Sequence, residues 1–202
     1  TMEKRQRGVE NLEVVSGSPK VIEDVVAEDL DYCYRWLGKT VEALAGSTIL
    51  VTGAAGFLGS YLVDFFSGLN RFDRSAPHNI IALDNYSTGT RDSLAHLLGR
   101  SDVSILDADC SDPISLPKEV HYIIHAASIA SPVVYRRYPV ETIKANVMGT
   151  WNLLEVARRA KTRSFLFLST SEIYGDPPPE HVPTPESYWG NVNPIGPRAC
   201  YD

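Results

Sequence analysis

The sequence predicts an α/β fold, a doubly wound parallel sheet with helices on both faces, behind an N-terminal helical extension. Three observations predict it. Short runs that are apolar throughout recur along the chain, as strands buried on both faces of a parallel sheet require. Segments with apolar residues at helical spacing separate these runs, giving a βαβ alternation. A glycine-rich turn directly follows the first run and opens a helix.

Residues 1–20 are polar, lack periodicity and contain Ser16-Gly17-Ser18-Pro19, so a flexible arm is expected there. Val26, Leu30, Cys33, Leu37, Val41 and Leu44 then recur at helical spacing. They predict an amphipathic helix ending near Gly46, with packing on the main domain as its expected role. Ile49-Leu50-Val51 is the first strand, residues 57–69 a helix, and Ile80-Ile81-Ala82-Leu83 a second strand ending in Asp84. A helix is expected over 91–98, a third strand over 103–106 and a fourth at Tyr122-Ile123-Ile124. Val140, Ile143, Val147, Trp151 and Leu154 form a long helical stripe, and Phe165-Leu166-Phe167-Leu168 a fifth strand. Beyond Tyr174 the prolines at 177, 178, 179, 183, 185, 194 and 197 describe a long loop, of a length that is usually functional. The expected division is 1–46 for arm and helix and 47–202 for the sheet domain.

Composition narrows the function classes. At 202 residues, 44% hydrophobic and 22% charged, with a net charge of -6, the chain buries one substantial core. It carries no basic patch of the kind nucleic acid requires. Cys33, Cys110 and Cys200 are odd in number and show no Cys-x-x-Cys spacing, which predicts free thiols in a reducing compartment, the cytoplasm. The histidines at 78, 96, 121, 125 and 181 show no i, i+4 pairing, so no metal site is expected. The uncharged stretch 47–63 contains Gly53, Gly56 and Gly59 and reads as strand, turn and helix, not as a membrane span. Residues 1–8 have mixed charge with no apolar run behind them, so no secretory signal is expected.

Gly53-Ala54-Ala55-Gly56-Phe57-Leu58-Gly59 takes its weight from its position after the first strand. Gly53 allows a tight turn, Gly56 lets backbone N–H groups approach a pyrophosphate, and Gly59 permits close packing of helix on strand. The N-terminus of the following helix faces the negative charge. This predicts a Rossmann-like, NAD-binding domain over 47–202. Asp84, at the end of the second strand, is placed to accept from adenosine ribose hydroxyls and to repel a 2′-phosphate, which favours NAD over NADP. Its other reading is a helix or turn cap.

Residues 169–177, Ser-Thr-Ser-Glu-Ile-Tyr-Gly-Asp-Pro, and the run from Tyr188 to the terminal Arg198-Ala199-Cys200-Tyr201-Asp202 carry a resemblance. They resemble the active-site region of the UDP-glucuronate decarboxylases, NAD-dependent sugar-nucleotide enzymes of the extended short-chain dehydrogenase/reductase (NAD-dependent epimerase/dehydratase) family. The resemblance runs over residues 48–202. It implies that Tyr201 is the catalytic phenol of a Tyr-x-x-x-Lys motif whose lysine falls beyond Asp202, so that the chain is C-terminally truncated and lacks the substrate-binding part. It also implies cofactor contacts from Phe57 and Leu58, from the loop Asn85, Ser87, Thr88 and Gly89, from Asp109 with Cys110, and from the small-residue wall Ala126, Ala127 and Ser128. His125, beside that wall, reads as a satisfied structural histidine.

The chemistry implied is oxidation of the sugar at C4 with hydride passing to NAD, loss of carbon dioxide from the resulting β-keto acid, and return of the hydride to give UDP-xylose. Ser171 or Thr170 would hydrogen-bond the reacting oxygen, and Glu172 would handle protons near C5. Glu172 also reads as a solvated loop acid. Dehydratases of the family carry Asp-Glu where this chain has Ser171-Glu172. Lys144, Asn152 and Tyr135 match substrate-contacting positions, although Lys144 equally reads as a solvated helix lysine. Ala145 stands where relatives often have threonine. A homodimer is implied for the intact enzyme, through the long helix and the helix bearing the tyrosine. The rival functions are a nucleotide-sugar 4-epimerase or 4,6-dehydratase, and a non-catalytic NAD-binding module. Truncation further predicts exposed apolar surface on the sheet.

Overall fold

The computed structural model describes residues 19–72, 76–116 and 119–202, without the side chains of 19–24. The arm expected over 1–20 lies outside the described residues up to position 18. The described residues form two compact units that divide at Lys39 and Thr40. The first contains α1 (Pro19–Leu37); the helical spacing extends past its end because a 3₁₀ turn, Gly38–Leu44, carries the chain on.

The second unit is built on five parallel strands: β1 (Thr48–Thr52), β2 (Asn79–Asp84), β3 (Val103–Asp107), β4 (Tyr122–His125) and β5 (Ser164–Phe167). Their order in the sheet is β3-β2-β1-β4-β5, the Rossmann-like doubly wound arrangement. β1 is central and pairs in register with β2 (Leu50 opposite Ile81) and with β4 (Leu50 opposite Ile123). Every residue of β1 is buried, which explains why it reads as an apolar run without alternation.

Strand pleating sends alternate residues to opposite faces. Ile49, Val51, Ile80 and Ala82 pack on one face with Val63 from α2 (Phe57–Leu69) and with Leu94 and Leu97. Leu50, Ile81, Leu83 and Ile123 pack on the other with Leu153 and Val156 from α5 (Thr150–Ala160). The helix expected over 91–98 is a 3₁₀ helix, Arg91–Leu97, and its buried pair Leu94 and Leu97 has the three-residue spacing that such a helix places on one side.

Between β4 and α5 come α3 (Pro132–Arg137) and α4 (Pro139–Ile143), and then a π-helical stretch, Lys144–Gly149, that runs into α5. The stripe Val140, Ile143, Val147, Trp151 and Leu154 lies on this run and is exposed along its length. At the sheet edge Leu166 and Phe167 of β5 are also half exposed. No helix among the described residues is long and apolar enough to cross a membrane.

Candidate active site at the carboxyl ends of the strands

β1 and β4 are neighbours whose chains leave in opposite directions, and doubly wound sheets bind ligands at such a switch point. Gly53 leaves β1 at φ +68°, and a Cβ there would stand 2.6 Å from the carbonyl oxygen of Ala126 at the end of β4. A Cβ on Gly59 would collide with the backbone carbonyl of Gly53, so α2 packs against the turn only through glycine. The first turn of α2 has no side-chain cap, which leaves its N–H groups for an anion.

The loops after four strands enclose a cavity of about 280 Å³. Gly53 and Gly56 line it from β1, and Leu83, Asp84, Asn85, Ser87 and Thr88 from β2. Ala108, Asp109 and Cys110 line it from β3, and Ala126, Ala127, Ser128 and Ile129 from β4. Phe57 and Leu58 do not line it; both side chains are exposed on the first turn of α2. Gly89 lies against Ala55 of the glycine turn, also outside the lining.

Polar groups of the cavity wall lock the loops together. Asp84, 8% exposed, accepts from Ala55 N–H through Oδ2 (2.8 Å) and from Tyr86 N–H through Oδ1 (2.7 Å), joining the glycine turn to the loop after β2. The cap reading and the cavity position thus hold together for one carboxylate. Asn85 donates to Asp109 Oδ2 at 2.8 Å, and Ser111 N–H donates to Asp109 Oδ1 at 2.8 Å. Burial pushes the Asp109 carboxyl up, but the hydrogen bonds from Ser111 and Asn85 and the charge of Lys144 outweigh it and hold the group below the ordinary carboxylate value. Burial first, and then Asp109, push the Cys110 thiol up to about 12, so this cysteine is inert at neutral pH.

His125, buried at the end of β4, is pushed down to about 4 by burial. Thr150 donates its hydroxyl to the Asn146 carbonyl (2.6 Å), so it accepts from His125 Nε2 (3.1 Å). Nδ1 is then the acceptor for the Thr52 hydroxyl at 2.8 Å. A neutral imidazole with both nitrogens satisfied ties β1, β4 and α5 together, as expected of a structural histidine.

Sequence spacing missed Glu141 as a lining residue. It sits four positions before Ala145, which also lines the cavity, and that i, i+4 spacing was the available signal. Asn146, within the π-helical stretch, accepts from Ser128 Oγ at 2.8 Å. Lys144 is exposed, and its charge is felt by Asp109. Asn152 is not brought to the cavity: its amide donates to the carbonyls of Cys110 and Asp112, both at 3.0 Å, and is spent in holding the loop after β3.

A second cluster gathers beyond β5. Thr170 caps the 3₁₀ turn Ser171–Tyr174, its Oγ1 accepting from Glu172 N–H at 3.3 Å. Glu172 Oε2 pairs with Arg198, which sequence reasoning did not single out. Tyr201 stacks on the buried ring of Tyr135, with centroids 5.0 Å apart and planes 6° from parallel, and the Cys200 thiol lies 3.6 Å from the Tyr135 carbonyl oxygen. Tyr135 is therefore the platform beneath Tyr201. No group of three or more metal-ligating side chains occurs among the described residues.

The model of the NAD dependent epimerase/dehydratase family matches residues 49–202. The chain belongs to this family. UDP-glucuronic acid decarboxylase 1 of Arabidopsis thaliana is 51% identical over 154 residues, which are 76% of this chain and 33% of that protein. The like-named protein of Xenopus tropicalis is 44% identical over 156 residues, 76% of this chain and 34% of that one. The chain thus spans about a third of the length of these curated relatives. Among solved structures, UDP-glucose 4-epimerase of Thermotoga maritima with UDP-glucose superposes with a TM-score of 0.60 at 29% identity, over 72% of this chain and 45% of that one. The Bordetella bronchiseptica enzyme WbmG in complex with NAD and UDP does so with a TM-score of 0.59 at 26% identity, over 72% of this chain and 44% of that one.

Proposed function

We propose that this chain is the NAD-binding part of an enzyme that converts UDP-glucuronate to UDP-xylose through a 4-keto intermediate. The observation that carries the reading is the joining of Glu172 to the turn bearing Tyr201, in a chain 51% identical to a UDP-glucuronic acid decarboxylase. Three features support NAD at the cavity: the glycine turn at the switch point, the uncapped N-terminus of α2, and a carboxylate at the end of β2. When bound, the dinucleotide supplies a reversible hydride acceptor at the sugar C4.

The remaining work falls to side chains. Tyr201 takes the C4 hydroxyl proton; an ordinary phenol, with a pKa of about 10, needs cationic help to do so at neutral pH. Thr170 already accepts from Glu172 N–H, so its own O–H is left to donate to the reacting oxygen, with Ser171 beside it. Once the carboxylate has left as carbon dioxide, C5 takes up one proton, which the Glu172 carboxylate relays from water. Lys144 supplies counter-charge for the anionic substrate, and Tyr135 orders Tyr201 by stacking. The exposed stripe from Val140 to Leu154 supports a homodimer through this helical run. The free thiols of Cys33, Cys110 and Cys200 support a cytoplasmic site of action.

The test is an NMR time course with NAD and UDP-glucuronate, following anomeric signals, on the protein expressed over its whole reading frame. UDP-xylose with release of carbon dioxide is expected. A C4 epimer or a 4-keto-6-deoxy sugar would overturn the reading in favour of an epimerase or dehydratase, and NAD binding without turnover in favour of a non-catalytic module.

A further inference from the structure

Arg198 lies three residues before Tyr201, in a turn closed by its own carbonyl oxygen, which accepts from Tyr201 N–H at 2.8 Å and from Asp202 N–H at 3.1 Å. Its guanidinium reaches the other way. One terminal nitrogen pairs with Glu172 Oε2, and Nε stands 3.5 Å from Asp202 Oδ1. A single residue therefore touches Glu172 through its side chain, Tyr201 through its main chain, and Asp202 through both.

The surroundings favour a fixed geometry. Side-chain exposure is 33% for Glu172, 39% for Arg198 and 10% for Asp202, so the array is partly withdrawn from water and its attractions are less screened than those of an exposed pair. A guanidinium is planar, stays charged and presents donors along two edges, which suits it to span two carboxylates. The Thr170 cap fixes the backbone of Glu172 but leaves its side-chain rotamers open.

We infer that Arg198 is a positioning residue: it holds the Glu172 carboxylate at a fixed place relative to the Tyr201 turn, with the Asp202 carboxylate beside it as a second counter-charge. The inference rests on the decarboxylase reading above and adds a residue to it. Because Arg198 acts through Glu172, its removal affects the reacting step more than the binding of the sugar nucleotide.

A double-mutant cycle tests this in the protein expressed over its whole reading frame, with NAD and UDP-glucuronate. Arg198→Ala is expected to lower kcat by about 100-fold, the scale of a misplaced catalytic group, with KM changed by less than about threefold. In the Glu172→Gln background the same substitution is expected to cost less than about threefold in kcat, because the carboxylate it positions is gone. Equal losses in both backgrounds, or a rise in KM alone, would overturn the positioning role while leaving the decarboxylase reading intact. No turnover by the unsubstituted protein would overturn that reading and this inference with it. Should Arg198→Ala fail to fold, Arg198→Lys carries the same cycle, since it keeps the charge and loses the two-edged geometry.

Discussion

The cavity at the ends of β1 to β4 and the segment bearing Thr170, Glu172 and Tyr201 share one sheet but are held in different ways. Around the cavity, where β1, β2 and β4 are buried on both faces, the loops are cross-linked by Asp84, Asp109 and His125, each with its hydrogen-bonding atoms satisfied by named partners. Beyond β5 the chain is half exposed and is held by local ties, among them the Thr170 cap, the Arg198–Glu172 pair, the stacks of Tyr201 on Tyr135 and of His181 on Tyr188, and the bridge between Gly175 and Asn191. The difference teaches that the binding half is an extension of the core, where a substitution shows first as lost stability. The half proposed to carry the chemistry is a set of local ties, where a substitution is expected to show first as lost function.

Three measurements break or sharpen this contrast. Leu153→Ala removes a fully buried side chain from the cluster with Leu50 and Ile123, and is expected to cost about 2–5 kcal/mol, read from urea unfolding midpoints. A loss below about 1 kcal/mol would mean that the core does not support the cavity. His125 comes next. Its folded pKa of about 4 lies below the ordinary 6.5, so between these values the unfolded chain binds a proton that the folded one does not. Stability is then full above about pH 6.5 and falls on acidification toward pH 4, by about 3 kcal/mol in all. Unfolding midpoints across that window should slope in the unsubstituted protein and flatten in His125→Gln; equal slopes would place the proton uptake elsewhere. The smallest effect is expected at Thr170→Ala, about 1 kcal/mol or less for one lost cap. A larger loss would show that the segment beyond β5 is as firmly built as the cavity.

Legibility in the sequence follows the same division. The central strands were readable because burial on both faces demands unbroken apolar runs, and Asp84 was readable because a carboxylate ended one of them. That Asp84 also accepts from Ala55 was not, since the partner comes from another loop. Arg198 escaped notice for the same reason: its pairing with Glu172 is made across the fold. The helical stripe from Val140 to Leu154 was correctly placed on helix, but periodicity reports only that one face is apolar, and here that face is exposed. Asn152 matched a substrate-contacting position, yet its amide is engaged by two carbonyls of the loop after β3.

The π-helical stretch Lys144–Gly149 takes up about one residue more than an α-helix would over the same rise. One residue is about 100° of helical rotation. On one side of the stretch Glu141 lines the cavity, with Ala145 just inside it, and beyond it Leu153 and Val156 pack on the sheet. The segment therefore sits between a cavity-lining end and a sheet-packing end of one helical run. Changing its length by a single residue would turn one face away from its target, although no side chain in either face had been altered.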